Sequence, residues 1–62
     1  MRTRLDPLIV QYWAARYGMT EYTIREVLRR YCKMHNLRAV GRQEAGRAIA
    51  ILRPAWKRGR RP

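Results

Sequence analysis

Thr23-Ile24-Arg25-Glu26-Val27-Leu28-Arg29-Arg30-Tyr31-Cys32-Lys33-Met34-His35 and, after a short break, Arg42-Gln43-Glu44-Ala45-Gly46-Arg47-Ala48-Ile49-Ala50-Ile51-Leu52-Arg53 are the two runs that decide the fold. In the first, Ile24, Val27, Leu28, Tyr31, Cys32 and His35 recur at helical spacing and share one face. Arg25, Arg29, Arg30 and Lys33 fall on the other. Thr23 stands three residues before Glu26, the capping-box pattern in which each side chain satisfies a free N–H of the first turn. Tyr22 and Val27 would supply the accompanying hydrophobic staple, although the helix could begin as early as Thr20. Asn36 tolerates the left-handed conformation that closes a helix, and Leu37 can pack back on the last turn. Residues 38–41 are then too few for anything but a turn.

The second run predicts a helix from Arg42, capped by Gly41 and with Glu44 in the first turn, where the dipole favours negative charge. Val40 and Ala45 form a second candidate staple. Ala45, Ala48, Ile49 and Leu52 make the inward stripe. At about 100° per residue, Arg42, Gln43, Gly46, Arg47, Ala50 and Arg53 gather on the opposite arc. Pro54 is expected to end the helix. Arg reads guanine and Gln reads adenine by bidentate pairs in a major groove, and Gly46 and Ala50 would let the backbone come close. The competing reading is an ordinary solvated face. Two helices joined by a turn, the second with a basic outer face, form the core of a helix-turn-helix.

Sixty-two residues make one small domain with a thin core. Fifteen basic residues against four acidic ones give a formal charge of +11, which points first to nucleic acid, then to an anionic membrane surface or an acidic protein. Almost all the basic residues are arginine, suited to planar bidentate contacts with phosphate or base. The single Cys32 cannot make an internal disulfide and reads as a small buried hydrophobe. No apolar run approaches the ~20 residues of a membrane span, and no secretory signal follows the basic N-terminus. A reducing cytoplasm, in association with the nucleoid, is the expected compartment.

Ahead of the decisive stretch, residues 1–5 read as a loose basic arm. Asp6 caps a first helix with Pro7 at its first position, and Gly18 closes it. Tyr12, Trp13 and Tyr17 share a face of that helix and read as core, the alternative being base-stacking platforms. Residues 6–54 thus form an all-α, three-helix domain. Residues 55–62 form a flexible basic tail or a vestigial wing, with Trp56 a candidate to fold back on the core.

No catalytic constellation is present, and no metal or cofactor is implied. His35 has no second ligand at metal-binding spacing and reads as structural. Asp6, Glu21, Glu26 and Glu44 all fall at or near helix starts, where capping explains them.

The segment Tyr31-Cys32-Lys33-Met34-His35-Asn36-Leu37-Arg38-Ala39-Val40-Gly41-Arg42-Gln43-Glu44-Ala45-Gly46-Arg47-Ala48 resembles the helix-turn-helix of the winged-helix domain that ends many phage and plasmid primase–helicases. That family continues a Tyr, Cys/Trp, Asn-Gly/Leu-Arg helix end into a Ser-Arg-x-x-Phe-Gly-Arg-x-Leu-like recognition helix. The resemblance covers about half the chain and implies DNA docking with Arg42, Gln43 and Arg47 toward the groove. Gly41 and Ala45 depart from it, standing where a capping Ser and a bulky Phe are usual. The chain leaves room only for a reduced or absent wing, and no primase or helicase module precedes it. A small reading frame of a phage, plasmid or other mobile element is the setting implied.

These readings converge on a non-enzymatic protein binding double-stranded DNA. Arg42, Gln43, Gly46 and Arg47 are the base-reading candidates. Arg2, Arg4, Arg25, Arg29, Arg38, Arg53, Lys57, Arg58, Arg60 and Arg61 are the phosphate-binding candidates. A homodimer on two half-sites is open, with no dedicated dimer element evident. The alternative is docking on an acidic surface of a host polymerase or replication protein, with Trp56 as its apolar anchor. RNA binding is a lesser alternative.

Overall fold

The computed structural model describes residues 4–59, with side chains described as far as Arg53. Three helices, α1 (Pro7–Tyr17), α2 (Glu21–Met34) and α3 (Arg42–Gly59), pack around one core, with no strand among the described residues.

Helix α1 starts and stops where its chemistry dictates. The Asp6 carboxylate accepts the Leu8 N–H at 2.9 Å, and Pro7 occupies the first helical position, where its missing N–H costs nothing. Gly18 takes a left-handed φ of 64°, and the Met19 N–H reaches back to the Ala14 carbonyl at 2.9 Å. This bond turns the chain back on the last turn of the helix, the αL ending expected of a glycine at this position.

Helix α2 begins earlier than the Thr23–Glu26 pattern indicates. Thr20 is the cap: its Oγ1 accepts the Thr23 N–H at 3.1 Å, while its hydroxyl donates to Thr23 Oγ1 at 2.9 Å. Thr23 is therefore inside the first turn. Glu26 pairs with Arg29, and Tyr22 lies 69 % exposed, so the Tyr22–Val27 staple does not form. The earlier start also puts Glu21 in the first turn, where the dipole favours it. At the other end Asn36 adopts a φ of 56°. The Leu37 N–H bonds the Cys32 carbonyl and the Asn36 N–H bonds that of Lys33, the pair of bonds expected of a Schellman ending. His35 stands at the cap itself and is exposed, its ring tilted at 46° to that of Tyr31 with centres 4.4 Å apart; it is not part of the buried face.

Helix α3 begins at Arg42 as its pattern indicates, with the Gly41 carbonyl accepting the Ala45 N–H at 2.9 Å. It does not stop at Pro54. The backbone stays helical to Gly59, so the tail expected from residue 55 starts as a continuation of α3. A proline removes one hydrogen bond, and the following Ala, Lys and Arg are good helix formers.

Val10 and Ala14 from α1, Ile24, Val27, Leu28 and Cys32 from α2, and Ala45, Ala48 and Ile49 from α3 are buried. No polar or charged side chain is buried among the described residues. The small residues Ala14, Ala45 and Ala48 keep the helices close, which matters for so short a chain. The N-terminal segment is anchored from Arg4: its N–H donates to the Arg38 carbonyl at 2.7 Å, and Leu5 packs against the core. Only residues 1–3 of the expected arm, Arg2 included, lie outside the described residues.

Candidate nucleic-acid interface

The arc of α3 read as open divides into two strips. Arg42, Gly46 and Arg53 lie within about 40° of one another around the helix and turn toward α1. Gly46 is buried. A Cβ built there would stand 2.5 Å from Cη2 and 3.1 Å from Cε2 of Trp13, well inside contact distance. The absent side chain makes room for the indole, and Gly46 leaves the base-reading set. Trp13 is fixed in that seat by its Nε1–H, which donates to the Arg42 carbonyl at 2.8 Å. The bond falls on a carbonyl at the start of α3, which has a second lone pair beyond the one used within the helix, and it ties α1 to α3.

Arg42 and Arg53 flank this seam. The Arg42 guanidinium lies 5.1 Å from the centre of the Tyr12 ring, and that of Arg53 lies 5.3 Å from the Tyr17 ring. Tyr12 meets Trp13 edge-on at 4.8 Å, and Tyr17 stacks on it at 5.4 Å. Trp13 and Tyr17 are packed against the core as expected, whereas Tyr12 is 41 % exposed. Guanidinium groups over aromatic rings keep their N–H donors free at the edges, so Arg42 remains available to a ligand from a restrained position. Arg53 is half-buried.

The second strip faces solvent. Gln43, Arg47, Ala50 and Ile51 lie within about 100° of one another and are all exposed. Ile51, 62 % exposed, belongs to this surface although its type suggested no role there. Its angular position, off the Ala45–Ala48–Leu52 stripe, was the available signal.

Glu44, one turn before Arg47, forms no ion pair with it. The Tyr31 hydroxyl donates to its Oε2 at 3.1 Å, linking α2 to the first turn of α3. Burial, followed by the hydrogen bond and charge of Glu44, holds the Tyr31 hydroxyl above its ordinary pKa. Burial, then the same carboxylate, pushes the Cys32 thiol up, consistent with an inert core residue. Two carboxylates on α2 pair locally, Glu21 with Arg25 at 3.5 Å and Glu26 with Arg29 at 3.1 Å. Among the described residues, Arg4, Arg16, Arg30, Lys33, Arg38, Arg42, Arg47 and Arg53 have no carboxylate within 4.0 Å.

Of the phosphate candidates, Arg4 and Arg38 are exposed and brought together by the Arg4–Arg38 backbone bond, while Arg25 and Arg29 are engaged in the α2 pairs. The side chains of Lys57, Arg58, Arg60 and Arg61 lie outside the described residues, as does that of Trp56. Arg30 and Lys33, absent from the candidate set, are exposed and line a surface groove with Glu26, Arg29 and Met34. Their adjacency to Arg29 on the outer face of α2 was legible in the spacing. Among the described residues, no group of three His, Cys, Asp or Glu side chains is placed to hold a metal ion. No described helix is long and apolar enough to cross a membrane. Comparison with protein-family models, curated proteins and solved structures finds no match to this chain.

Proposed function

We propose that this chain is a small DNA-binding protein that lays the outer strip of α3 in a major groove. The observation that carries the reading is Arg47: it is exposed, has no acidic partner among the described residues, and stands beside Gln43 on a face the core does not use. In this reading Arg47 and Gln43 make the bidentate base contacts, Ala50 allows close approach, and Ile51 is positioned for a thymine methyl. Arg42, restrained on Tyr12, contributes from the rim. Arg4 and Arg38, with the basic residues after Pro54, bind phosphates and fix register without reading sequence. The three-helix arrangement and the resemblance to primase–helicase winged-helix domains support this reading, which places the protein in a reducing cytoplasm on the nucleoid of a host cell.

A second reading rests on Ile51. An exposed isoleucine ringed by arginines also suits an acidic protein surface, where the apolar anchor supplies affinity and charge supplies orientation.

Selection of bound duplexes from a random pool at physiological salt separates the two. A consensus that loses ~1–3 kcal/mol of preference at one position in Arg47→Ala supports groove reading. Binding without consensus that disappears by about 0.2 M salt refutes it and favours the protein partner.

A further inference from the structure

On the outer side of α2, Glu26, Arg29, Arg30, Lys33 and Met34 line a surface groove among the described residues. Their spacing of i, i+3, i+4, i+7 and i+8 sets them in one row, about 12 Å long. Lys33 stands four residues from Arg29 and three from Arg30, so like charges meet along the row and destabilise the free helix. Nothing in the chain offsets Arg30 and Lys33. All four side-chain carboxylates are engaged elsewhere: Asp6 accepts the Leu8 N–H, Glu21 pairs with Arg25, Glu26 with Arg29, and Glu44 accepts the Tyr31 hydroxyl. Glu26 is also one turn from Arg30, yet its ion pair is with Arg29.

This row is separate from the Gln43–Arg47 strip of α3. On each helix the outer row lies roughly half a turn around from that helix's own buried stripe. The buried stripes of α2 and α3 meet in one core, so their outer rows diverge. A short duplex is straight on this scale, and one seated on the α3 strip does not wrap round to the outer side of α2. At about 0.1 M salt the screening length is about 10 Å, below the 17 Å shortest dimension of the chain, so a duplex on α3 leaves the α2 row uncompensated.

We infer that the outer face of α2 is a second phosphate-binding face, which holds the backbone of a second duplex segment while α3 engages the first. The chain thereby bridges two segments of DNA. Arg30 and Lys33 meet phosphates of the second segment, and the exposed Met34 lies against the sugar between them. Such a contact carries no base preference, so the second segment is held whatever its sequence. The inference rests on the proposed groove reading for the first duplex and adds to it a partner for a face that reading leaves unused.

A capture assay with the full chain tests this. One short duplex is fixed to beads, a second is fluorescent and free, and the protein is added at about 0.1 M salt. The native chain should draw the free duplex onto the beads. Arg30→Gln/Lys33→Gln should reduce capture at least about tenfold, while anisotropy of dilute duplex shows the affinity for a single duplex changed less than about threefold. Gln11→Glu/Arg16→Gln on α1 makes the same change in net charge and should leave capture within about threefold of the native chain. All four positions are exposed and glutamine and glutamate are good helix formers, so the circular dichroism spectra of both variants should match the parent. Binding of a single duplex without capture overturns the inference alone. Capture that survives Arg30→Gln/Lys33→Gln, or that falls as far in Gln11→Glu/Arg16→Gln, overturns it too. A chain that binds no duplex removes both the inference and the groove reading beneath it.

Discussion

Replacing Gly46 by alanine separates the two placements of this residue by sign. On an exposed helix face the change recovers about 1 kcal/mol of helix propensity and stabilises the protein. Beneath Trp13 the new methyl meets ring carbons at 2.5 and 3.1 Å, and the indole must move. Overpacking of this kind costs about 1–3 kcal/mol. A displaced ring also loses the Nε1–H bond to the Arg42 carbonyl, a further loss of about 1 kcal/mol. The losses exceed the propensity gain, and the net expectation is destabilisation by roughly 1–3 kcal/mol. For a domain of this size that lowers Tm by about 5–20 °C. Urea and thermal denaturation followed by circular dichroism measure the change. The same substitution in a Trp13→Phe background, where the smaller ring clears the methyl, should cost far less or become favourable. The coupling between the two sites then isolates the contact. A Gly46→Ala variant more stable than the parent by about 1 kcal/mol, and weakened only in DNA binding, would refute the seat beneath the indole and return Gly46 to the groove.

Thr20→Ala should cost about 1 kcal/mol by removing the cap of α2, and Thr23→Ala less, in chemical denaturation; the reverse order would restore the cap to Thr23. Stability should fall at alkaline pH. The folded pKa values of Tyr31 and Cys32 lie above the usual 10.0 and 9.0, so their neutral forms favour the folded state, and that contribution is lost as pH rises through the raised values. Tyr31→Phe and Cys32→Ala together should flatten this limb in denaturation curves taken from pH 8 to 11, and an unchanged limb would exclude both groups as its source. Removing Lys57–Pro62 should weaken binding to all duplexes alike and reduce the slope of log affinity against log salt, whereas Arg47→Ala should alter relative affinities among duplexes; equal effects on every probe from Arg47→Ala would take it out of the groove.

How these residues divide between local and non-local control explains which parts of the structure were readable in advance. Asp6-Pro7, Gly18 and Asn36 act through bonds to backbone groups a few residues away, so the bounds of α1, the end of α2 and the inward stripe of α3 follow from spacing alone. Thr20 and Thr23 illustrate the limit of that logic. Each could cap, and the winner is the one whose helix also places Glu21 against the dipole and within reach of Arg25. Pro54 shows another limit, since one absent hydrogen bond does not outweigh the helix-forming residues that follow. Gly46 was beyond reach for a different reason. A helical wheel sorts residues by angle, yet which angle is outside depends on where a third helix lies. Here α1 is placed by a bond from Trp13 to the backbone of Arg42, twenty-nine residues away. The missing side chain that suggested room for DNA gives room to the indole. The surface open to the proposed groove contact is therefore narrower than the wheel implied, and that proposal rests more heavily on Gln43 and Arg47. Glu44 lies only three residues before Arg47, within reach for a local pair. The Tyr31 hydroxyl donates to Glu44 instead, and Glu44 and Arg47 form no ion pair.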